Sequence, residues 1–271
     1  MERQDTLAQL SDHVVICNCN DKVKRIVEEL HAEAVLEPPD VVLMTDEAGE
    51  RLWMRHPEWE PEVDGARARF IRVTGRPTSE DDLRSVGVSA ARAAVILADP
   101  ALGELADARS TLVAIAIERE NPQVHTVMEL LASVNRVHLE ATDINEVVCR
   151  GEITEKVIAQ SCITPGVKNI LSHLLTTATG TEQLFLAHLP VALQGATYRE
   201  LSRRAIERGA PFTPIGFVRH GERDGRPLRQ VVLAPLPRAE LGRDTKLGAA
   251  DELVAIAGAE LDLARWLAAT D

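Results

Sequence analysis

Short apolar runs alternate with amphipathic stretches through the first 150 residues. Val14-Val15-Ile16-Cys17 is wholly apolar, the pattern of a strand buried on both faces of a parallel sheet. Polar Asn18-Cys19-Asn20-Asp21 follows. Then Val23, Ile26, Val27 and Leu30 recur at helical spacing, with Lys22, Lys24, Arg25, Glu28 and Glu29 on the other face. Further apolar runs at 41–44, 70–73, 94–97, 124–128 and 146–149 predict five more strands. Ser79 with Asp82 three residues on predicts a capping box in acidic form, and 106–120 a long Ala-rich helix that stops near Pro122. Strand and helix alternating at this spacing predict an α/β lobe over 11–150, a Rossmann-like doubly wound parallel sheet. Ligands of such sheets sit outside the carboxyl ends of the strands. Residues 47–65 break the rhythm: Trp53, Pro57, Trp59 and Pro61 fall there without a clean period. They read as an elaborated connection whose tryptophans either pack over a helix or face a partner.

The remainder changes character. Helical patterns at 153–161 and 167–175 flank Pro165-Gly166, which predicts a helical hairpin, and 176–181 is Thr-rich and reads as a linker. The connector therefore occupies 151–180. Strand patterns at 183–189, 213–219, 231–233 and 253–256, helices at 198–208 and 259–268, and a turn-rich 220–227 predict a smaller α+β C-lobe over 181–271.

Charge narrows the partners. The 271 residues carry 30 Lys+Arg against 42 Asp+Glu, a formal charge of −12, which argues against a nucleic-acid partner. No apolar run approaches the roughly 18–20 residues that span a bilayer, so direct membrane insertion is not expected. Four cysteines, two of them one residue apart, fit a reduced cytoplasmic protein.

A dinucleotide loop wants glycine at three positions after the first strand, for the turn, for pyrophosphate approach and for helix packing. Here those positions hold Asn18, Asn20 and Val23. Asn tolerates left-handed backbone, so the turn is expected to survive at Asn18. Cys19 and Asp21 share the loop, with Cys19 expected to be accessible and Cys17 buried. Asp46 ends the second strand, where an acid holds a ribose hydroxyl in such folds, or else caps a helix. Arg76, Asp99 and Glu129 follow later strands on the same rim, a set that suits a phosphate contact or, through the acids, a divalent cation. No zinc spacing, nucleophile elbow, His-Glu-x-x-His run or Tyr-x-x-x-Lys dyad occurs, so no catalytic residue is assigned and the reading is non-enzymatic.

The order of segments resembles the RCK (regulator of K⁺ conductance) module, paired TrkA-N and TrkA-C domains. The resemblance runs through His13 to Asn20, Gly75-Arg76-Pro77-Thr78, Gly87-Val88, Ala98-Asp99, Ala106-Asp107-Ala108-Arg109, Asn121-Pro122 and Asn145 to Val148. It continues at Leu189-Pro190, Gly195 to Tyr198 and Asp251 to Val254. What it implies is a cytoplasmic ligand-sensing module at the inner face of the cell membrane. Copies dimerise through the 153–175 hairpin, form an octameric gating ring, and couple effector binding to the pore domain of a potassium channel. NAD(H), adenine nucleotides and Ca²⁺ are the implied effectors, with Asn18, Cys19, Asn20, Asp21, Asp46, Arg76, Asp99 and Glu129 as candidate contacts. Glu129 matches one acid of the family's three-acid calcium site, while Leu97 and Leu131 stand at the other two places. Residues 1–10 read as the end of a linker from a pore helix. The alternatives are a separate subunit of a potassium transporter and a nucleotide-dependent oxidoreductase with a degenerate glycine loop.

Overall fold

The computed structural model describes Leu7 and residues 10–33, 35–139, 142–178, 180–223, 226–236, 240–258 and 261–268. Most of the expected linker at 1–10, Thr179 of the Thr-rich stretch, and the first two residues of the expected last helix lie outside these. The chain divides into two compact units between Lys168 and Asn169.

In the first unit, β1 (Val14–Cys17), β2 (Val41–Thr45), β3 (Phe70–Thr74), β4 (Ala93–Ile96), β5 (His125–Leu130) and β6 (Glu146–Cys149) form one sheet of order β3-β2-β1-β4-β5-β6. Every pair is parallel, with Val14 beside Val41 and Ala93, and Met128 beside Val147. This is the Rossmann-like order expected from the sequence. The helices are α1 (Val23–Leu30), α2 (Glu47–Arg55), α3 (Glu80–Ser85) and α4 (Ala106–Glu120), and α5 (Arg150–Ile163) follows β6.

Right-handed crossovers sort these helices. Going from β1 to β2 to β3 the chain moves one way along the sheet, so α1 and α2 share a face; from β3 to β4 to β5 it moves the other way, so α3 and α4 take the opposite face. The side chains obey: Val14, Ile16, Val41 and Leu43 pack with Val23, Val27 and Trp53. Val15, Cys17, Val42 and Met44 pack with Leu83, Val113 and Ile117 on the far side.

Two local expectations are corrected. Residues 47–55 are a helix, not an aperiodic connection: Asp46 accepts the Gly49 amide at 2.9 Å, acids fill the first turn and Arg55 the last. Trp53 is buried between Trp59, which meets it edge-on, and the tilted ring of Phe70, so the local-packing alternative for the tryptophans holds. The Ser79 box is only half closed. Ser79 Oγ accepts the Asp82 amide, but the Asp82 carboxylate turns to the Arg76 amide at 2.8 Å.

Helices α5 and α6 (Val167–Leu174) stand on either side of a turn at Gly166, where φ is +93°. The second unit carries β7 (Gln183–His188), α7 (Tyr198–Glu207), β8 (Phe212–Arg223), β9 (Arg226–Leu233), β10 (Glu252–Ala257) and α8 (Leu263–Ala268). Its antiparallel sheet runs β7-β10-β8-β9, and Leu201, Phe217, Leu253 and Trp266 lie in its core. The turn-rich reading of 220–227 is corrected: strand pairing continues through His220 and Glu222, opposite Arg229 and Pro227.

Candidate functional site

The carboxyl ends of β1, β2 and β4 enclose a cleft of about 230 Å³. Four of the eight expected residues line it: Asn18, Cys19, Asp46 and Asp99. Asn18 is left-handed, φ +66°, as the turn requires, and its side-chain amide donates to the Leu97 carbonyl at 2.8 Å. Cys19, expected to be accessible, is buried. Its thiol donates to the Gly49 carbonyl, and burial, reinforced by Asp99, pushes its pKa up to about 11, so it is no nucleophile. Cys17 is buried as expected, and burial raises it to about 12.

Asp46 is the N-cap of α2 and the partner of Arg109, with Oδ2 2.6 Å from a guanidinium nitrogen. Burial alone would raise its carboxyl, but the Gly49 amide and Arg109 outweigh it and hold the group below the usual carboxylate range. Asp99 caps the next turn through the Ala101 amide at 3.0 Å. Arg51 and Arg55 of α2 complete the charged lining.

The other four expected residues lie elsewhere. Asn20 is buried and works internally: it accepts the Lys22 amide at 3.0 Å and donates to the Ala98 carbonyl at 2.9 Å and to Glu129 at 3.1 Å. Glu129 is only 8% exposed; the Ala98 amide bonds its Oε2 at 3.2 Å and the Lys22 ammonium its Oε1 at 2.9 Å. Asp21 is exposed beside Lys22, and Arg76 is exposed and pairs with Asp82 in its own turn.

A dinucleotide held in the glycine-loop manner would place its pyrophosphate at the start of α1 and its ribose on Asp46. Asn20 already takes the Lys22 amide on its Oδ1 and the Val23 amide on its backbone carbonyl, and both Asp46 oxygens are engaged. The residues present therefore do not fit that mode. They fit a ligand whose anionic part meets Arg51 and Arg55 and whose polar part meets Asp99. Among the described residues no group of three or more His, Cys, Asp or Glu side chains is arranged to hold a metal ion.

Residues that the sequence reading passed over are Arg51, Arg55, Arg109, Lys22 and Asp107. Asp107 is buried on α4 and accepts the Leu131 and Ala132 amides and the Asn135 side chain, so it fixes the loop after β5. The two cleft arginines stood in the stretch read as aperiodic.

Residues 9–128 match the family model of the calcium-activated potassium channel slowpoke-like RCK domain. This stretch is an RCK domain. Over 212 residues the chain is 24% identical to the calcium-gated potassium channel TvoK of Thermoplasma volcanium, covering 76% of this chain and 56% of TvoK. Over 110 residues it is 29% identical to potassium channel subfamily U member 1 of Rattus norvegicus, covering 38% of this chain and 10% of that channel. The chain thus spans about half of TvoK and a smaller part of the rat channel. Among solved structures the human SLO3 gating ring aligns over 95% of this chain and 46% of its own, with TM-score 0.61 at 16% identity, a likeness of fold. The RCK domain is the lobe that carries the cleft. No helix among the described residues is long and apolar enough to cross a membrane.

Proposed function

We propose that this chain is the ligand-sensing regulatory module of a potassium channel, that its copies assemble as a gating ring at the cytoplasmic face of the membrane, and that effector binding at the sheet-edge cleft is coupled to pore opening. Residues 11–150 are then the sensing lobe, 151–180 the crossover and 181–271 the C-lobe. The observation that carries the reading is the RCK match over the lobe that holds the cleft. The helices of the connector support self-assembly: Ile158, Ile163, Ile170 and Leu175 are all exposed, an apolar series that calls for a partner surface. The relative TvoK is calcium-gated by name. Here the arginines of α2 favour an anionic effector, an adenine nucleotide or NAD(H) bound through its phosphates outside the glycine-loop mode.

Gating by such a module is linkage: the effector shifts the pore only as far as it binds one ring conformation better than the other. Moving an equilibrium from 1:99 to 99:1 takes about 5.5 kcal/mol, which eight sites supply at roughly 0.7 kcal/mol each. A small cleft is therefore sufficient. The test is a thermal-shift panel with NAD, NADH, ADP, ATP and Ca²⁺, with sedimentation of the same samples. Ligand at 100 times its dissociation constant adds about 2.7 kcal/mol, and Arg55→Ala should remove that shift. A monomer with a flat panel would sink the reading.

A further inference from the structure

We propose that the RCK domain has a second ligand site, the groove over β4, β5 and β6, and that it takes an amphiphilic monoanion: an acyl chain or similar apolar body ending in one carboxylate. The groove is about 360 Å³ and lies wholly within the first unit, apart from the sheet-edge cleft. Ile26, Val95, Leu97, Val127, Val148 and Ile153 form its walls. That volume lies within the usual range of small-molecule sites, and a mostly apolar lining with a few charges is usual for them as well. Its existence follows from the crossovers, because the face that α1 and α2 cover over β1 to β3 receives no helix from the β4–β5 connection. Val148 and Ile153 are left 41% and 50% exposed at the rim.

The charges choose the head group. Glu129, Lys22 and Arg150 reach the groove. Glu129 offers no vacancy: its two oxygens already take Lys22, the Asn20 amide and the Ala98 amide. A cation would have to displace Lys22 to reach it. Lys22 and Glu129 cancel each other, and Arg150 forms no ion pair among the described residues, so the net charge at the groove is one positive. A carboxylate on Arg150 answers that charge while a chain lies along the valines. A nucleotide would find one free cation and, beyond it, the Thr154 hydroxyl, which already donates to the Arg150 carbonyl, so the groove selects against it.

The test is calorimetric titration of the full chain with decanoate, decanol and acetate, below the concentration at which decanoate forms micelles. Saturable binding of one decanoate per chain is expected, with none for acetate. Arg150→Gln should weaken decanoate by about tenfold and leave decanol unchanged, since it removes one charge-assisted contact. Val127→Trp should fill the groove and abolish both, and Val148→Glu at the rim provides the same reading should the tryptophan fail to fold. Ala101→Trp, in the sheet-edge cleft, should leave decanoate binding intact, which separates this site from the proposed effector site. Non-saturable uptake, or decanoate binding indifferent to Val127→Trp and Val148→Glu, would overturn the proposal. So would an absence of decanoate binding together with an oligomer that dissociates on Val148→Glu, which would give the groove to a second copy of the chain.

Discussion

The two halves of one sheet face differ sharply. Over β1 to β3 every inward residue meets a helix: Ile16 and Leu43 are fully buried under α1 and α2, and Trp53 is sealed by Trp59, Phe70 and the Arg72 guanidinium 5.5 Å from its ring. Its indole N–H donates to Glu60 at 3.0 Å. Over β4 to β6 the equivalent positions, Val95, Val127 and Val148, are half-buried or exposed, and the charged pair Lys22–Glu129 lies where a helix would otherwise rest. Valines or other aliphatic residues face this side in both halves. What differs is the direction in which the chain moves along the sheet, so the handedness of crossovers, not hydrophobicity, decides which half is core and which is available surface.

Substitutions should expose this contrast in order of size. Trp53→Ala removes a sealed aromatic and should cost about 3–5 kcal/mol in denaturant unfolding of the first unit. Glu129→Gln, in the open half, should cost about 1–3 kcal/mol by leaving the Lys22 ammonium beside a neutral amide. If Glu129→Gln proves as costly as Trp53→Ala, the open half is as tightly built as the covered one and the contrast fails.

His13 gives a smaller, pH-dependent effect. It is fully buried at the start of β1, its Nε2–H donates to the Val86 carbonyl, and its Nδ1 has no partner. Burial lowers its pKa, against the Val86 bond and Asp40, which raise it. The unfolded chain then binds a proton that the folded chain refuses. The contribution of His13 is complete above about pH 6.5 and is lost as the pH falls towards the folded value. Thermal melts of the wild type should show that slope, and His13→Gln should flatten it. Smallest is Val148→Ala, expected within about 0.5 kcal/mol of wild type in the same unfolding assay. A larger loss would mean that something covers the groove.

The sheet was legible because a parallel strand buried on two faces leaves an unbroken apolar run, and all six runs matched within two residues. The left-handed Asn18 was legible for a similar reason, since few residues tolerate that conformation. Helix α2 was not, because Gly49 in its first turn reads as a breaker. Its reason is tertiary: a Cβ there would lie 1.8 Å from Thr45 Oγ1, so the glycine admits close contact with β2. Cys19, which a loop position had marked as accessible, is buried with its thiol on the Gly49 carbonyl. The site was half legible. Strand ends named Asn18, Cys19, Asp46 and Asp99 correctly as neighbours, whereas the bond between Asp46 and Arg109 joins residues 63 apart, and no local pattern announces it. Arg76 missed the cleft because Asp82 draws it back into its own turn.

Asn20 carries one more consequence, for descent and design. Its side-chain amide at once accepts the Lys22 N–H at the N-cap of α1 and donates to the buried Glu129. Asn20→Gly, the obvious step towards a pyrophosphate-binding loop, would free the helix end and in the same stroke strip a donor from a buried carboxylate. A lineage, or an engineer, moving that way must neutralise position 129 as well, and the pair of changes should be better tolerated than the two apart. The loop and the distant strand end are therefore locked to one another's history.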